Sequence, residues 1–158
     1  MKPLIIILMG SKSDLEHCKK IADASKSFGI ETVMHIGSAH KTAEHALALL
    51  QKYEAAPRPK VYITVAGRSN ALSGFTDGAV SAPVIACPPS SNSFGGSDIY
   101  SSLRMPSGIA PAVVLEPANA ALLAAKILGL VDADIAEAVA NSRQRAVEKI
   151  VQDDQSIQ

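Results

Sequence analysis

The chain has 158 residues, 47% of them hydrophobic but only 4% aromatic, with no Trp. That length suits one compact domain, and its core must be built from Ile, Leu, Val and Ala. Lys and Arg total 15 and so do Asp and Glu, which excludes the basic excess of a general nucleic-acid binder and leaves room for a local anion site.

Taken in order, Met1-Lys2-Pro3 and the apolar run Leu4–Met9 look superficially like a signal peptide. The run is too short and meets Gly10-Ser11-Lys12-Ser13-Asp14 at once, so it reads as a buried strand. A helix over Ser13–Phe28 follows, with Leu15, Cys18, Ile21 and Ala22 on one face and Gly29 as its stop. Thr32–Ile36 is a strand, Thr42–Tyr53 a helix carrying Leu47, Leu49 and Leu50, Pro57-Arg58-Pro59 a rigid turn and Val61–Ala66 a third strand. From Gly67 to Gly78 a glycine-rich loop leads into a short helix. Val84–Cys87 is a fourth strand, Pro88–Gly96 a polar loop, Ile99–Leu103 part of a short helix, and Ala112–Leu115 a fifth strand. Asn119–Leu128 is a helix, and Asp132 caps a last helix running to about Val151, with Asp153–Gln158 frayed.

The most apolar region, Ile109 to Leu130, is interrupted by Glu116, Pro117, Asn119 and Lys126, so no membrane span is expected. Cys18 and Cys87 lack CxxC spacing and read as buried structural thiols, which suits a reducing cytoplasm. We expect a soluble, cytoplasmic protein with a single domain over residues 1–158. The alternation of strands and helices implies an α/β fold, a parallel sheet of about five strands with helices on both faces. In such a sheet ligands gather outside the carboxyl ends of the strands. The loops at 10–14, 37–41, 67–71 and 88–97 all belong to that edge.

Each loop has a plain reading beside a chemical one. Ser13 and Glu16 have capping-box spacing, yet free amides at a helix start also suit a phosphate, with Gly10, Ser11 and Ser13 small enough to let it approach. The loop fits neither GxxxxGK[ST] nor GxGxxG, so no nucleoside triphosphate or dinucleotide is indicated. Ser38 and Lys41 can complete an anion site, with His40 beside it; alternatively His40 is a loop histidine bonded to backbone. His17 and His45 lie on helices and His35 in a strand, and no cluster has metal-ligand spacing, so no metal site is expected. Gly67, Arg68, Ser69, Asn70 and Ala71 follow a buried strand, where polar side chains need partners in the fold or in a ligand. The Ala118–Ala125 segment suits a subunit interface or plain core packing.

Six segments together resemble one family, the AIR carboxylase and carboxyaminoimidazole ribonucleotide mutase (PurE) family. They are Met9-Gly10-Ser11-Lys12-Ser13-Asp14, Ser38-Ala39-His40-Lys41, Ala66-Gly67-Arg68-Ser69-Asn70, Cys87-Pro88-Pro89, the run from Ser101 to Gly108 that begins Ser101-Ser102-Leu103-Arg104, and Asn119 to Ala125. The resemblance implies a three-layer flavodoxin-like fold and a ligand, 5-aminoimidazole ribonucleotide (AIR). Ser11, Ser13, Ser38 and Lys41 would hold its phosphate, and Asp14 its ribose hydroxyls. His40 would face the imidazole ring, and Ser69, Asn70 and Ala71 would border the carbon dioxide or carboxylate site. Mutases of the family carry a small, histidine-containing third loop and usually Arg after the catalytic His. Here Arg68-Ser69-Asn70 and Lys41 stand instead, which is similar to the branch that uses carbon dioxide directly. The short chain is expected to lack the fused ligase domain of the bifunctional animal enzyme, and homo-oligomers, tetramers or octamers, are implied.

The chemistry so implied needs no cofactor. The aminoimidazole is an electron-rich enamine, nucleophilic at C4, and carbon dioxide is already an electrophile. Carboxylation leaves C4 bearing both hydrogen and carboxylate, so a base must take that proton, and an acid must return it in reverse. An imidazole can do both, which makes His40 the candidate. The nearest rival is the mutase. A rival of another class is a non-catalytic receiver or flavodoxin-like domain. A receiver would want acidic residues where Met9-Gly10-Ser11 stands, and a flavodoxin would want more stacking aromatics than three Tyr and three Phe.

Overall fold

The computed structural model describes residues 1–89 and 93–158. Five strands, β1 (Leu4–Met9), β2 (Glu31–Ile36), β3 (Lys60–Val65), β4 (Val84–Ala86) and β5 (Ala112–Val113), form one all-parallel sheet in the order β2-β1-β3-β4-β5. The expected α/β class and strand number are thus observed. The helices are α1 (Leu15–Lys26), α2 (Ala43–Glu54), α3 (Ala71–Asp77), α4 (Tyr100–Leu103), α5 (Pro117–Leu128) and α6 (Ala133–Ser156). Among the described residues, no helix is long and apolar enough to cross a membrane.

Side-chain alternation in the strands divides the core into two halves. Ile5, Ile7, Met9, Val61, Ile63, Val65 and Ile85 face one way and meet Cys18 and Ile21 of α1 with Ala120, Ala121, Ala124 and Ala125 of α5. Leu4, Ile6, Leu8, Tyr62 and Val84 face the other way and meet Leu50 of α2 and Leu72 of α3. Strand β1, between β2 and β3, is buried on both faces, which is why Leu4–Met9 is one unbroken apolar run. Ala120, Ala121, Ala124 and Ala125 of α5 are fully buried, while Ala118 is exposed; the small buried side chains bring α5 close to the sheet and α1.

Several boundaries differ from the sequence expectations. The first helix begins as a 3-10 turn, Lys12–Asp14, before α1. Glu16 pairs with Lys19 at 2.7 Å, so the Ser13–Glu16 box does not form; the box-like contact is made instead by Asp14, whose carboxylate accepts the Ser11 N–H at 3.2 Å. Gly29 ends this segment at φ 71, a conformation that suits glycine. In α2 the buried positions are Ala46 and Leu50, and Leu47 is exposed. Within the expected Pro88–Gly96 loop, residues 90–92 lie outside the described residues, and Ser93–Ile99 is 3-10 helix. The fifth strand is only two residues long. The last helix does not fray at Asp153. It runs to Ser156 because its polar end bonds within itself, Ser156 Oγ to the Asp153 carbonyl at 2.7 Å and Gln158 to Asp154 at 3.2 Å. The expected cap does form: Asp132 accepts the Ile135 N–H at 3.1 Å.

Register sets up the site. Met9 lies opposite both Ile36 and Val65, so β1, β2 and β3 end level with one another. Gly10 N–H still reaches the Val65 carbonyl, and Gly37 N–H the Met9 carbonyl, both at 2.9 Å. Beyond them three loops leave the sheet side by side, at the point where the chain changes direction between β1 and β3.

Candidate active site

Those three loops enclose a cleft of about 460 Å³. The first contributes Gly10, Ser11, Ser13 and Asp14, the second Ser38, His40 and Lys41, and the third Gly67, Arg68 and Ser69. Ten of the twelve residues singled out from the sequence therefore line one cavity. Asn70 and Ala71 do not. Asn70 is 2% exposed and turned into the fold, while Ala71 opens α3. The walls also include Ala39, Ala66 and Leu72; small or apolar residues carry no chemical signal in a sequence, and only the loop packing brings them in.

In the first loop, the Asp14 carboxylate accepts from the Ser11 N–H at 3.2 Å and the Ser11 hydroxyl at 3.3 Å, and the Ser11 and Ser13 hydroxyls touch at 2.5 Å. A compact set of hydroxyls is thus presented at a helix start, where unpaired amides favour an anion. In the second, Ser38 Oγ accepts the Lys41 N–H at 3.2 Å, and the Ser38 N–H is donated to Thr42 Oγ1 at 2.9 Å. These bonds shape the turn through Ser38, Lys41 and Thr42 and leave the exposed His40 ring outside them. Among the described residues, no backbone group bonds the His40 ring, unlike the backbone-bonded alternative considered from sequence. A Cβ on Gly37 would lie 3.1 Å from Ala46 Cβ and 3.2 Å from Leu8 Cδ1, so glycine lets the loop start close against α2.

The third loop is strained. Arg68 has φ 58, the one non-glycine residue with positive φ among those described, at a cost of about 1–3 kcal/mol. Such strain persists only where surrounding bonds over-determine it. Asn70 supplies several: Oδ1 accepts the Ser73 N–H at 3.2 Å and caps α3, Nδ2 donates to Ser102 Oγ at 3.0 Å, and its N–H donates to Ser101 Oγ at 2.9 Å. Ser101 and Ser102 lie in a segment that carries the family resemblance but to which the resemblance gives no role. Nothing in the sequence connects them to Asn70, about thirty residues earlier.

Within the cleft Lys41 and Arg68 outweigh Asp14, so a chain of zero net charge carries a locally positive site. The other titratable candidates lie elsewhere. His17 Nε2 sits 3.3 Å from Cys87 Sγ, and burial, the largest influence, holds its pKa below the usual histidine value. His35 bonds Tyr53 OH at 2.6 Å and is also lowered by burial. Burial pushes both Cys18 and Cys87 up to about 12, so these thiols are inert structural groups, as their spacing implied.

The cleft offers hydroxyls and amides for an anion, two cations, and an imidazole that makes no hydrogen bond among the described residues. Comparison with known proteins identifies the family. A profile of the AIR carboxylase family matches residues 4–149. The phosphoribosylaminoimidazole carboxylase of Treponema denticola is 62% identical over 157 residues, 99% of each chain. The protein of the same name from Archaeoglobus fulgidus is 52% identical over 152 residues, 96% of this chain and 83% of its own. The crystal structure of Treponema denticola PurE superposes with a TM-score of 0.98 at 61% identity, covering 99% of both chains. With a family profile spanning most of its length and relatives this similar end to end, the chain belongs to the AIR carboxylase family.

Proposed function

We propose that this chain carboxylates AIR at C4 with dissolved carbon dioxide, reversibly, giving 4-carboxy-5-aminoimidazole ribonucleotide in purine biosynthesis. The observation that carries the proposal is the convergence of His40, a serine-rich anion loop and the Arg68-Ser69 loop on one cleft. The phosphate lies against Ser11, Ser13, Ser38 and Lys41, and Asp14 accepts from the ribose hydroxyls. The ring then extends toward His40. The enamine electrons of C4 form the new carbon–carbon bond as one C=O bond of carbon dioxide opens to carboxylate. His40 takes the C4 proton, and the ring regains its aromaticity. In reverse His40 returns the proton and the carbon–carbon bond breaks. Gly67, Arg68, Ser69, Asn70 and Ala71 make up the loop beside the carboxylate. Arg68 and the Ser69 hydroxyl offer it charge and a hydrogen bond, which act most strongly as negative charge develops. Asn70 contributes by shaping this loop, since its side chain is turned into the fold. No step draws on a metal or cofactor.

In this reading the chain works as a single domain over residues 1–158, in the cytoplasm, as a homo-oligomer. An apolar stripe left exposed on α6, Val147, Ile150 and Val151, supports the last point.

The test is a purified-enzyme assay. Started with AIR and bicarbonate, the reaction should show a lag that carbonic anhydrase abolishes, because hydration equilibrium limits the supply of carbon dioxide. The N5-carboxylated nucleotide should give product no faster than it decays to AIR. Rapid conversion of that nucleotide, unaffected by draining carbon dioxide from solution, would make the chain a mutase.

A further inference from the structure

We propose that Ser101 and Ser102 are positioning residues that lock the Arg68–Ala71 loop into its working shape from behind. Neither serine lines the cleft; both sit at the far side of the loop, on α4. Ser102 is 1% exposed, and its hydroxyl oxygen accepts from Asn70 Nδ2 at 3.0 Å. Ser101 accepts the Asn70 N–H at 2.9 Å and donates its single proton to the Asp98 carbonyl at 2.7 Å, which turns an oxygen lone pair toward Asn70. The Arg68 carbonyl stands 3.4 Å from the same hydroxyl as an alternative acceptor.

The loop has little of its own to hold it. Its internal bond is Ala71 N–H to the Ser69 carbonyl at 3.0 Å, and Arg68 occupies a backbone conformation that a non-glycine residue leaves when it can. Asn70 is therefore the hinge pin. Its side chain fixes the loop to α3 through Ser73 and to α4 through Ser102, and its backbone fixes it through Ser101. With Asn70 held, Arg68 and Ser69 are left exposed and facing the cleft. The anion loops at Ser11–Asp14 and Ser38–Lys41 share none of these bonds. Loosening α4 should thus disturb the carboxylate side of the site and spare the phosphate side.

The kinetic readout rests on the carboxylation reading above, and the structural readout does not. In Ser101→Ala, kcat/KM for carbon dioxide should fall by about tenfold, a modest displacement of a reacting group being enough for that. Calorimetric affinity for AIR should stay within about twofold. Ser101→Thr, which keeps the hydroxyl, should restore carboxylation. Hydrogen exchange at the Asn70 amide should rise in Ser101→Ala and return in Ser101→Thr, with exchange at residues 11–14 unchanged. Wild-type kinetics in Ser101→Ala, loss of AIR affinity in step with turnover, or failure of threonine to rescue would each overturn the proposal. If the wild-type chain does not carboxylate AIR, the reaction reading falls, and unchanged exchange at Asn70 would then overturn the loop lock by itself. Ser101 is only half-buried, so its variants carry the test should Ser102→Ala fail to fold.

Discussion

At His40 the proposed chemistry asks for a group that acts on a proton in flight, and the exposed ring is free of bonds to the turn that carries it. Substitution should therefore cost rate and not binding. In His40→Asn we expect turnover to fall by at least about 100-fold, with AIR affinity by calorimetry kept within about tenfold; substantial residual carboxylation would remove His40 from the role. Lys41 should behave in the opposite way. A charged hydrogen bond to phosphate contributes about 1.5–3 kcal/mol, so Lys41→Ala should weaken AIR by roughly 10- to 100-fold and leave the dephosphorylated nucleoside almost unaffected. Equal losses for both ligands would mark Lys41 as a surface charge. Arg68 allows a test of strain. At φ 58 a Cβ is disfavoured and glycine is not, so Arg68→Gly should be more stable than Arg68→Ala by about 1 kcal/mol. Equal urea midpoints for the two variants would show that the backbone there relaxes at no cost.

At the scale of elements, α1 is held to the sheet by its buried face, and the half-buried His17 beside that face titrates. His17 lies against Cys87 at the end of β4, with Lys20 and Asp14 near it on its own side and Glu116 at the start of α5. Burial lowers its folded-state pKa and Lys20 adds to the shift, while the hydrogen bond to Cys87 and the charges of Asp14 and Glu116 oppose it. The unfolded chain therefore binds this proton more readily than the folded one. Stability should be full above the ordinary histidine range, decline as pH falls through that range, and go on declining until the lower folded-state pKa is passed. His35 shifts in the same direction. Replacing His17 by Gln should shrink the difference in urea midpoint between pH 7.5 and pH 5.5, since one of the two shifted histidines is then gone. An undiminished difference would place the acid sensitivity elsewhere.

For the whole molecule, the long last helix poses the main question. Only Ile135 of α6 is buried, and Val147, Ile150 and Val151 face outward at helical spacing, with Ile150 68% exposed. Apolar side chains three and four residues apart make a continuous stripe, and such a stripe on a small chain is suited to a symmetric contact with another copy. Light scattering should give an oligomer at micromolar concentration, and Ile150→Glu should yield smaller species. A fully active wild-type monomer would refute the oligomer.

Much of this was legible in one dimension because it depends on local pattern. The unbroken run Leu4–Met9, the stop at Gly29 and the cap at Asp132 each state a backbone preference within a few residues. Strand–helix alternation then forces a parallel sheet, and a parallel sheet gathers its loops at one edge. Ten of the twelve candidate residues chosen from those loops line one cleft. What the tertiary structure alone decided depends on register and on contacts between distant segments. The level ends of β1, β2 and β3 make three loops into one cleft. Asn70 is turned away from that cleft, and Ser101 and Ser102, brought up by α4, replace water as partners of its backbone and side-chain N–H groups. Hydrogen-bond partners of a buried amide are chosen by three-dimensional proximity, which no spacing along the chain encodes.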